Sequence, residues 1–107
     1  MSNTLFTIGA CERSSYNGQP STSWPIFDAT GKMVGEIQGE YDDDRTDRQR
    51  FVSSECKWRV SDYTVSFWDQ YATFPSVEFT VDRHDSARAA LSAAKAFAKN
   101  PGPYAVR

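Results

Sequence analysis

The sequence predicts a single α+β domain, residues 1–107, with an antiparallel sheet of about five to six strands and one C-terminal helix packed on one face. Three observations predict it. Short alternating apolar segments recur between residues 4 and 81, Gly- and Asp-containing turns separate several of them, and a small-residue helix follows the last. The length of 107 residues suits one domain.

The first predicted strand runs from Thr4 to Gly9, where Phe6 and Ile8 alternate with polar residues. The next segment, Cys11 to Ser23, is polar and has no apolar period. We interpret it as a long loop, and long loops in compact domains often have a function.

A hairpin is predicted next, from Trp24–Phe27 and Met33–Gly39. Between them lies Asp28-Ala29-Thr30-Gly31-Lys32, whose Asp and Gly are typical of a tight turn. Gly35 and Gly39 are unusual inside a strand, and they predict a bulge or a close approach of another backbone.

The segment Glu40–Arg50 has the highest charge density of the chain, and we predict an exposed loop there. Its acidic residues are Glu40, Asp42, Asp43, Asp44 and Asp47, and its basic residues are Arg45, Arg48 and Arg50.

Two further strands are predicted at Phe51–Val60 and Tyr63–Asp69. Ser61-Asp62 is interpreted as a tight turn between them. In the second strand Val65 and Phe67 share one face, which we expect to be the core face because alternate residues of a strand point the same way.

The last strand is predicted at Val77–Val81 and the helix at Ser86–Lys99. An apolar stripe at helical spacing predicts the face that packs on the sheet. We expect Leu91 and Phe97 to be its anchors, each contributing about 1.5–3 kcal/mol if fully buried. The stripe consists of Ala87, Ala90, Leu91, Ala94, Phe97 and Ala98.

The ends of this helix have recognisable signals. Asp85 is the expected N-cap and Asp82 the competing one, because a short carboxylate accepts hydrogen bonds from first-turn amides. Asn100-Pro101-Gly102 predicts the end, since proline disfavours helical backbone in the residue before it.

The overall charge and the cysteines limit the class of protein. The net charge of −2 argues against a general polyanion binder. No apolar run approaches the roughly 20 residues of a membrane span, and no export signal begins the chain. We therefore expect a cytoplasmic protein, no membrane contact, and reduced thiols at Cys11 and Cys56.

Motifs for catalysis are weak. His84 is the only histidine, and no nucleophile-elbow pattern surrounds any serine. Cys11, Cys56 and His84 are too few and too scattered for a zinc site, and no phosphate-binding glycine loop is present. The sequence therefore predicts no enzyme, no metal and no cofactor.

One enzymatic alternative stays open, a metal-dependent nuclease. Glu55-Cys56-Lys57 matches the Glu-x-Lys pair that restriction-type nucleases combine with an upstream aspartate to hold magnesium and position water. Asp42, Asp43 or Asp44 could supply that aspartate. The tripeptide is common, and the helices expected around it are missing.

The leading hypothesis is a non-enzymatic protein-binding module. The chain has more aromatic residues than one core face requires, and Tyr41, Tyr71 and Tyr104 are the ones we expect to be displayed. The acidic loop suits a basic protein partner, such as a nucleic-acid-binding protein. The predicted partner-binding residues are Tyr41, Asp42, Asp43, Asp44, Asp47 and Tyr71.

A single-stranded nucleic-acid-binding domain is the alternative. If Val65 and Phe67 face the helix, Trp68 points away from it and shares the opposite face with Lys57 and Arg59. A tryptophan among basic residues on an uncovered sheet can stack on bases.

The order of elements over residues 24–99 resembles, in outline only, the Whirly and Pur-type single-stranded DNA-binding folds. That resemblance implies a basic, aromatic sheet face, which only Lys57, Arg59 and Trp68 could provide here. The small size, acidic balance and lack of catalytic residues also resemble inhibitors that phages and plasmids use against host defence, including anti-CRISPR proteins. An unpaired strand edge would be compatible with a dimer.

Overall fold

The computed structural model describes residues 6–52, 55–68 and 76–101. One antiparallel sheet has the order β1-β3-β4-β5-β6, and β2 pairs with β3 on the same side as β1. The α+β class, the antiparallel sheet and the C-terminal helix are thereby confirmed. The elements are β1 (Thr7–Ile8), β2 (Glu12–Tyr16), β3 (Gln19–Phe27), β4 (Met33–Asp43), α1 (Asp47–Val52), β5 (Trp58–Phe67), β6 (Val77–Thr80), a 3-10 helix (Val81–Arg83) and α2 (Ala87–Lys99).

The loop predicted at Cys11–Ser23 is wrong, because β2 and the first half of β3 form a hairpin there. Its turn is Asn17-Gly18, with φ of 52° and 82°. Positive φ at both residues is what a type I′ turn requires, and Asn-Gly adopts it most readily. No residue of β2 is buried, so no apolar period marks the strand.

The β3–β4 turn is confirmed, and Asp28 organises it. The Asp28 carboxylate accepts hydrogen bonds from the Thr30 hydroxyl at 2.6 Å, the Thr30 N–H at 2.8 Å and the Lys32 N–H at 3.0 Å. These bonds, led by the one from the Thr30 hydroxyl, hold the pKa of Asp28 below its ordinary value. Gly31 takes the left-handed conformation, with φ of 88°.

The close approach of another backbone, one of the two alternatives predicted at the strand glycines, is confirmed at Gly35. A Cβ atom on Gly35 would collide with the carbonyl oxygen of Ser66 in β5. A Cβ atom on Gly39 would lie 2.6 Å from Thr22 Oγ1. Gly35 therefore needs a residue without a side chain, because the backbone of β5 occupies the space, whereas at Gly39 the close contact is with a side chain.

The segment Glu40–Arg50 is largely exposed, as predicted, but the prediction that it forms a loop is wrong. Strand β4 continues to Asp43 and α1 begins at Asp47, so only three residues connect them. The Thr46 hydroxyl and the Gln49 side chain exchange hydrogen bonds with the N–H groups of the other residue, a capping box at the start of α1.

The predicted strand at Phe51–Val60 and the turn at Ser61-Asp62 are wrong as well. Phe51 and Val52 belong to α1, and β5 is one strand from Trp58 to Phe67. Ser61 is instead the extra residue of a bulge, since Glu40 pairs with Asp62 and Tyr41 already pairs with Val60.

Helix α2 packs on the sheet through its alanines. Ala90, Ala94 and Ala98 are fully buried, whereas Leu91 and Phe97, the expected anchors, are only partly buried. Small side chains let the helix axis approach the sheet closely, and that proximity leaves the longer side chains at the margins. Phe97 lies beside Phe79 with ring centroids 5.8 Å apart.

The caps of α2 differ from the prediction at one end. Ser86 is the N-cap, and its Oγ accepts a hydrogen bond from the Ala89 N–H at 3.1 Å, so the proposals of Asp85 and Asp82 were wrong. The predicted C-terminal end is confirmed, since the helix ends at Lys99. The Lys99 carbonyl accepts a hydrogen bond from the Phe6 N–H at 2.8 Å and so joins the two ends of the described fold.

The core lies between α2 and one end of the sheet, where Ile26, Val34, Ile37 and Val65 are its largest fully buried side chains. The predicted core positions Val65 and Phe67 are both buried there. Trp24 packs edge-on against Tyr63 at 5.9 Å, and Lys95 Nζ of α2 lies 5.4 Å from the Trp24 ring centroid. Cys11 and Cys56 are free thiols.

Candidate protein-binding surface

The sheet has two chemically opposite faces. In β4, Ile37 is buried against α2, and in β5 its partner Val65 is buried with it. Since alternate residues of a strand point to opposite faces, their neighbours point away from the helix. Five carboxylates occupy that outer side, and we call them together the acidic face: Glu36, Glu40, Asp42, Asp62 and Glu78.

Strand register brings these carboxylates together. Glu40 of β4 lies directly opposite Asp62 of β5, and Glu78 of β6 lies on the neighbouring row opposite Thr64. Opposed like charges in adjacent strands are unfavourable by about 0.2–1 kcal/mol. The pairing of Glu40 with Asp62 therefore works against the stability of the sheet.

The electrostatic field at Glu40 reflects this crowding. Partial burial raises the pKa of Glu40, and the charges of Asp62, Glu78 and Asp42 raise it further. Ser61 Oγ donates a hydrogen bond to the Asp62 carboxylate and lies 3.3 Å from the main-chain oxygen of Glu40. The serine holds Asp62 in place without neutralising its charge.

Arg59 is the one basic residue within strands β4, β5 and β6. Its guanidinium lies 3.8 Å from an Asp44 carboxylate oxygen and 3.9 Å from one of Asp82. Both of those aspartates are exposed at the rim of the acidic face. The acidic face and its rim therefore carry seven carboxylates and a single arginine, and the surface keeps a large excess of negative charge.

Asp43 has a different, structural role. Its carboxylate lies 2.7 Å from Arg45 Nη2 and accepts hydrogen bonds from the main-chain N–H groups of Arg45 and Lys57 at 3.1 and 3.3 Å. The hydrogen bond from the Arg45 side chain holds the pKa of Asp43 far below its ordinary range. Asp43 thus links the end of β4 to the start of β5.

The predicted partner-binding residues are dispersed. Tyr41 lies on the inner side, half-buried, with its hydroxyl 3.3 Å from Thr22 Oγ1. Asp42 belongs to the acidic face and Asp44 to its rim. Asp47 is fully exposed at the start of α1, and Tyr71 and Tyr104 lie outside the described residues.

The predicted nucleic-acid-binding residues do not form a cluster. Lys57 precedes β5 and the half-buried Trp68 follows it. These residues lie at opposite ends of a ten-residue strand roughly 33 Å long. Arg59, between them, is surrounded by carboxylates.

The described residues form no metal site of the kind that the nuclease alternative requires. Glu55 and Lys57 precede β5 instead of lying on a strand. Asp43 is one of the three aspartates proposed as the upstream metal ligand, but its carboxylate forms ion pairs with Arg45 and Arg50. Within residues 6–52, 55–68 and 76–101, no three carboxylate, thiol or imidazole groups converge as metal ligands.

That four carboxylates of the acidic face form one surface is not predicted from the sequence: Glu36, Glu40, Asp62 and Glu78. The signal was present in Glu36, Gln38, Glu40 and Asp42, which alternate with inner residues over the length of β4. It was lost because the strand was predicted to end at Gly39. Tyr16 and Phe51, which are 79% and 91% exposed, were also missed.

Comparison with protein-family models, with curated proteins and with solved structures gives no significant match to the chain. The described helices are also too short or too polar to cross a membrane. The chemistry of the acidic face is therefore the basis for a functional proposal.

Proposed function

We propose that this protein is a non-enzymatic binding module whose acidic face docks on a basic surface of another protein. The observation that carries the proposal is Glu40 directly opposite Asp62, in a patch of five carboxylates with one arginine. A cationic partner would relieve this repulsion on binding, so the charge that disfavours folding favours the complex.

The sheet presents these charges in a rigid array. Adjacent strands are about 4.8 Å apart, and successive outer residues along β4 are about 6.8 Å apart. Hydrogen bonds on both sides hold β4 and β5, so little backbone ordering remains for the moment of binding. Arginine and lysine side chains of a partner can reach several carboxylates at once.

We further propose that the binding is inhibitory. A surface rich in arginine and lysine is most often a nucleic-acid-binding surface, and an acidic module seated on it excludes the nucleic acid. The size and chemistry of the chain suit an inhibitor encoded by a phage or plasmid and directed against a host defence protein. The same negative charge disfavours direct binding of single-stranded nucleic acid to this face.

The test is a charge-neutralising pair with a matched control. Glu40→Gln/Glu78→Gln removes two charges from the acidic face, and Asp47→Asn/Asp85→Asn removes two exposed charges elsewhere. The partner is captured from a lysate of the native host on immobilised protein, identified by mass spectrometry and purified. We expect the first pair to slow association about tenfold or more at low salt, and the control pair to change it little.

Two outcomes would contradict the proposal. One is an equal effect of both pairs on the association rate. The other is tight binding of a labelled oligothymidine to the wild-type protein at low salt, which would favour the nucleic-acid-binding alternative through Lys57, Arg59 and Trp68.

A further inference from the structure

Strand β2 has a free edge. Among the described residues it pairs with β3 alone, and all five of its side chains are exposed. It projects beyond the part of the sheet that α2 covers, because the core residues of β3 begin only at Trp24. A strand edge of this kind carries unpaired N–H and C=O groups.

The register of the hairpin determines which groups are unpaired. In a hairpin with a two-residue turn, the residues flanking the turn, Tyr16 and Gln19, exchange both hydrogen bonds. The pattern alternates, so Ser14 bonds towards β3, and the main-chain groups of Arg13 and Ser15 point outward. Pro20 lies opposite Ser15 and has no N–H, which agrees with this assignment.

The edge lacks the features that usually block pairing. Its sequence, Glu-Arg-Ser-Ser-Tyr, has no proline and no lysine, and no bulge interrupts its register with β3. Glu12 and Arg13 carry its only charges, and they have opposite signs.

We infer that two copies of this chain associate through antiparallel pairing of their β2 strands, with Ser14 opposite Ser14 of the second copy. In this register Arg13 pairs with Ser15 of the second copy, and the reverse, so four main-chain N–H···O bonds form. Glu12 faces Tyr16 of the second copy. The two six-stranded sheets become one twelve-stranded sheet.

Charge selects this register. Shifting the two-fold axis to Arg13 would oppose two guanidinium groups, which is unfavourable. Shifting it to Ser15 would place Arg13 opposite the Asn17-Gly18 turn and leave Glu12 without a partner. Only the register centred on Ser14 pairs all five residues and opposes no like charges. The short contact predicts a reversible dimer, below the standard interface size of about 1,600 Å².

The test uses the fact that Ser14 faces itself. Ser14→Lys and Ser14→Glu, each alone, put like charges on two facing residues whose Cα atoms are about 4.5 Å apart across the two-fold axis. Each should weaken the dimer by about tenfold or more in sedimentation equilibrium, and an equimolar mixture of the two should restore it. Ser21→Lys places the same charge one strand inward, on the same face, and should leave the dimer unchanged.

A cross-linking experiment covers the case of weak association. In a Cys11→Ser/Cys56→Ser background, Ser14→Cys should give a disulfide-linked dimer under mild oxidation, because facing Cα atoms at this spacing accept a disulfide. Ser21→Cys should not. A wild-type protein that sediments as a monomer together with an uncross-linked Ser14→Cys variant would overturn the inference. A dimer that survives both Ser14→Lys and Ser14→Glu would also overturn it.

Discussion

The two faces of β4 and β5 differ in chemistry: the inner face is tightly packed, and the outer face carries like charges. On the inner face, Ile37 and Val65 are fully buried, and Gly35 has no room for a Cβ atom. On the outer face, Glu40 and Asp62 oppose each other, and the pKa of Glu40 is raised first by its partial burial and then by the neighbouring carboxylates. The inner face explains why the chain folds. The outer face weakens the fold, as is expected of a surface kept for binding.

The largest expected effect is on the inner face. Ile37→Ala should lower the free energy of unfolding by about 2–5 kcal/mol, because Ile37 is fully buried and the cavity would persist. Its exposed neighbour supplies the control, since Gln38→Ala should change stability by no more than about 0.5 kcal/mol. Urea unfolding monitored by tryptophan fluorescence measures both. Similar losses from the two variants would mean that the faces do not differ.

The second effect concerns the fit of α2. Ala94→Leu should destabilise the protein by about 1–3 kcal/mol, because the fully buried alanine leaves no room for a longer side chain. Ala96→Leu adds the same atoms on the exposed side of the helix and should be nearly neutral. Thermal unfolding followed by circular dichroism compares them. A tolerated Ala94→Leu would show that the helix lies farther from the sheet than described.

A smaller effect of opposite sign is expected on the acidic face. Glu40→Gln should stabilise the protein by about 0.2–1 kcal/mol at neutral pH, since it removes a like-charge pair. The pKa of Glu40 in the folded protein is raised above its ordinary value, so the wild-type penalty is full above the raised pKa and disappears as the pH falls below the ordinary value.

Urea unfolding of both proteins at neutral pH and just below pH 4.5 measures this dependence. The reciprocal variant Gln38→Glu adds a carboxylate to the same surface and should destabilise at neutral pH. A gain from Glu40→Gln that persists unchanged in acid would argue against charge repulsion as its cause.

The smallest effect tests the contact between α2 and Trp24. Lys95→Met keeps the aliphatic stem but removes the ammonium group 5.4 Å from the ring centroid, and should lower stability by about 0.5 kcal/mol. Lys99→Met, one turn further along the exposed side, is the matched control. Equal stability of the two variants in urea would assign the Lys95 contribution to its stem alone.

The fold class could be predicted from the sequence because the inner residues alternate and the alanines recur at helical spacing. The hairpin of β2 and β3 could not be predicted from periodicity, since β2 has no buried face. The one sequence feature that indicates this hairpin is its Asn17-Gly18 turn. Ser61 was misread because a polar bulge residue within a long strand resembles a turn residue.

The candidate site was harder to predict than the fold. Asp42 was identified, but Glu40 and Asp62 are 22 positions apart and meet only through strand register. A shift of one residue would send Asp62 to the opposite face. Asp43 illustrates the converse: it looks like part of an exposed acidic run, yet its carboxylate is held by Arg45.

The hydrogen bond between the Phe6 N–H and the Lys99 carbonyl has a consequence for biosynthesis. The first strand and the last turn of the helix are neighbours in space, although nearly the whole described chain separates them. A ribosome must therefore release residue 99 before the apolar side of the sheet can be sealed. Until then the nascent strands have only solvent or a chaperone to cover them, and contacts this distant in sequence form slowly.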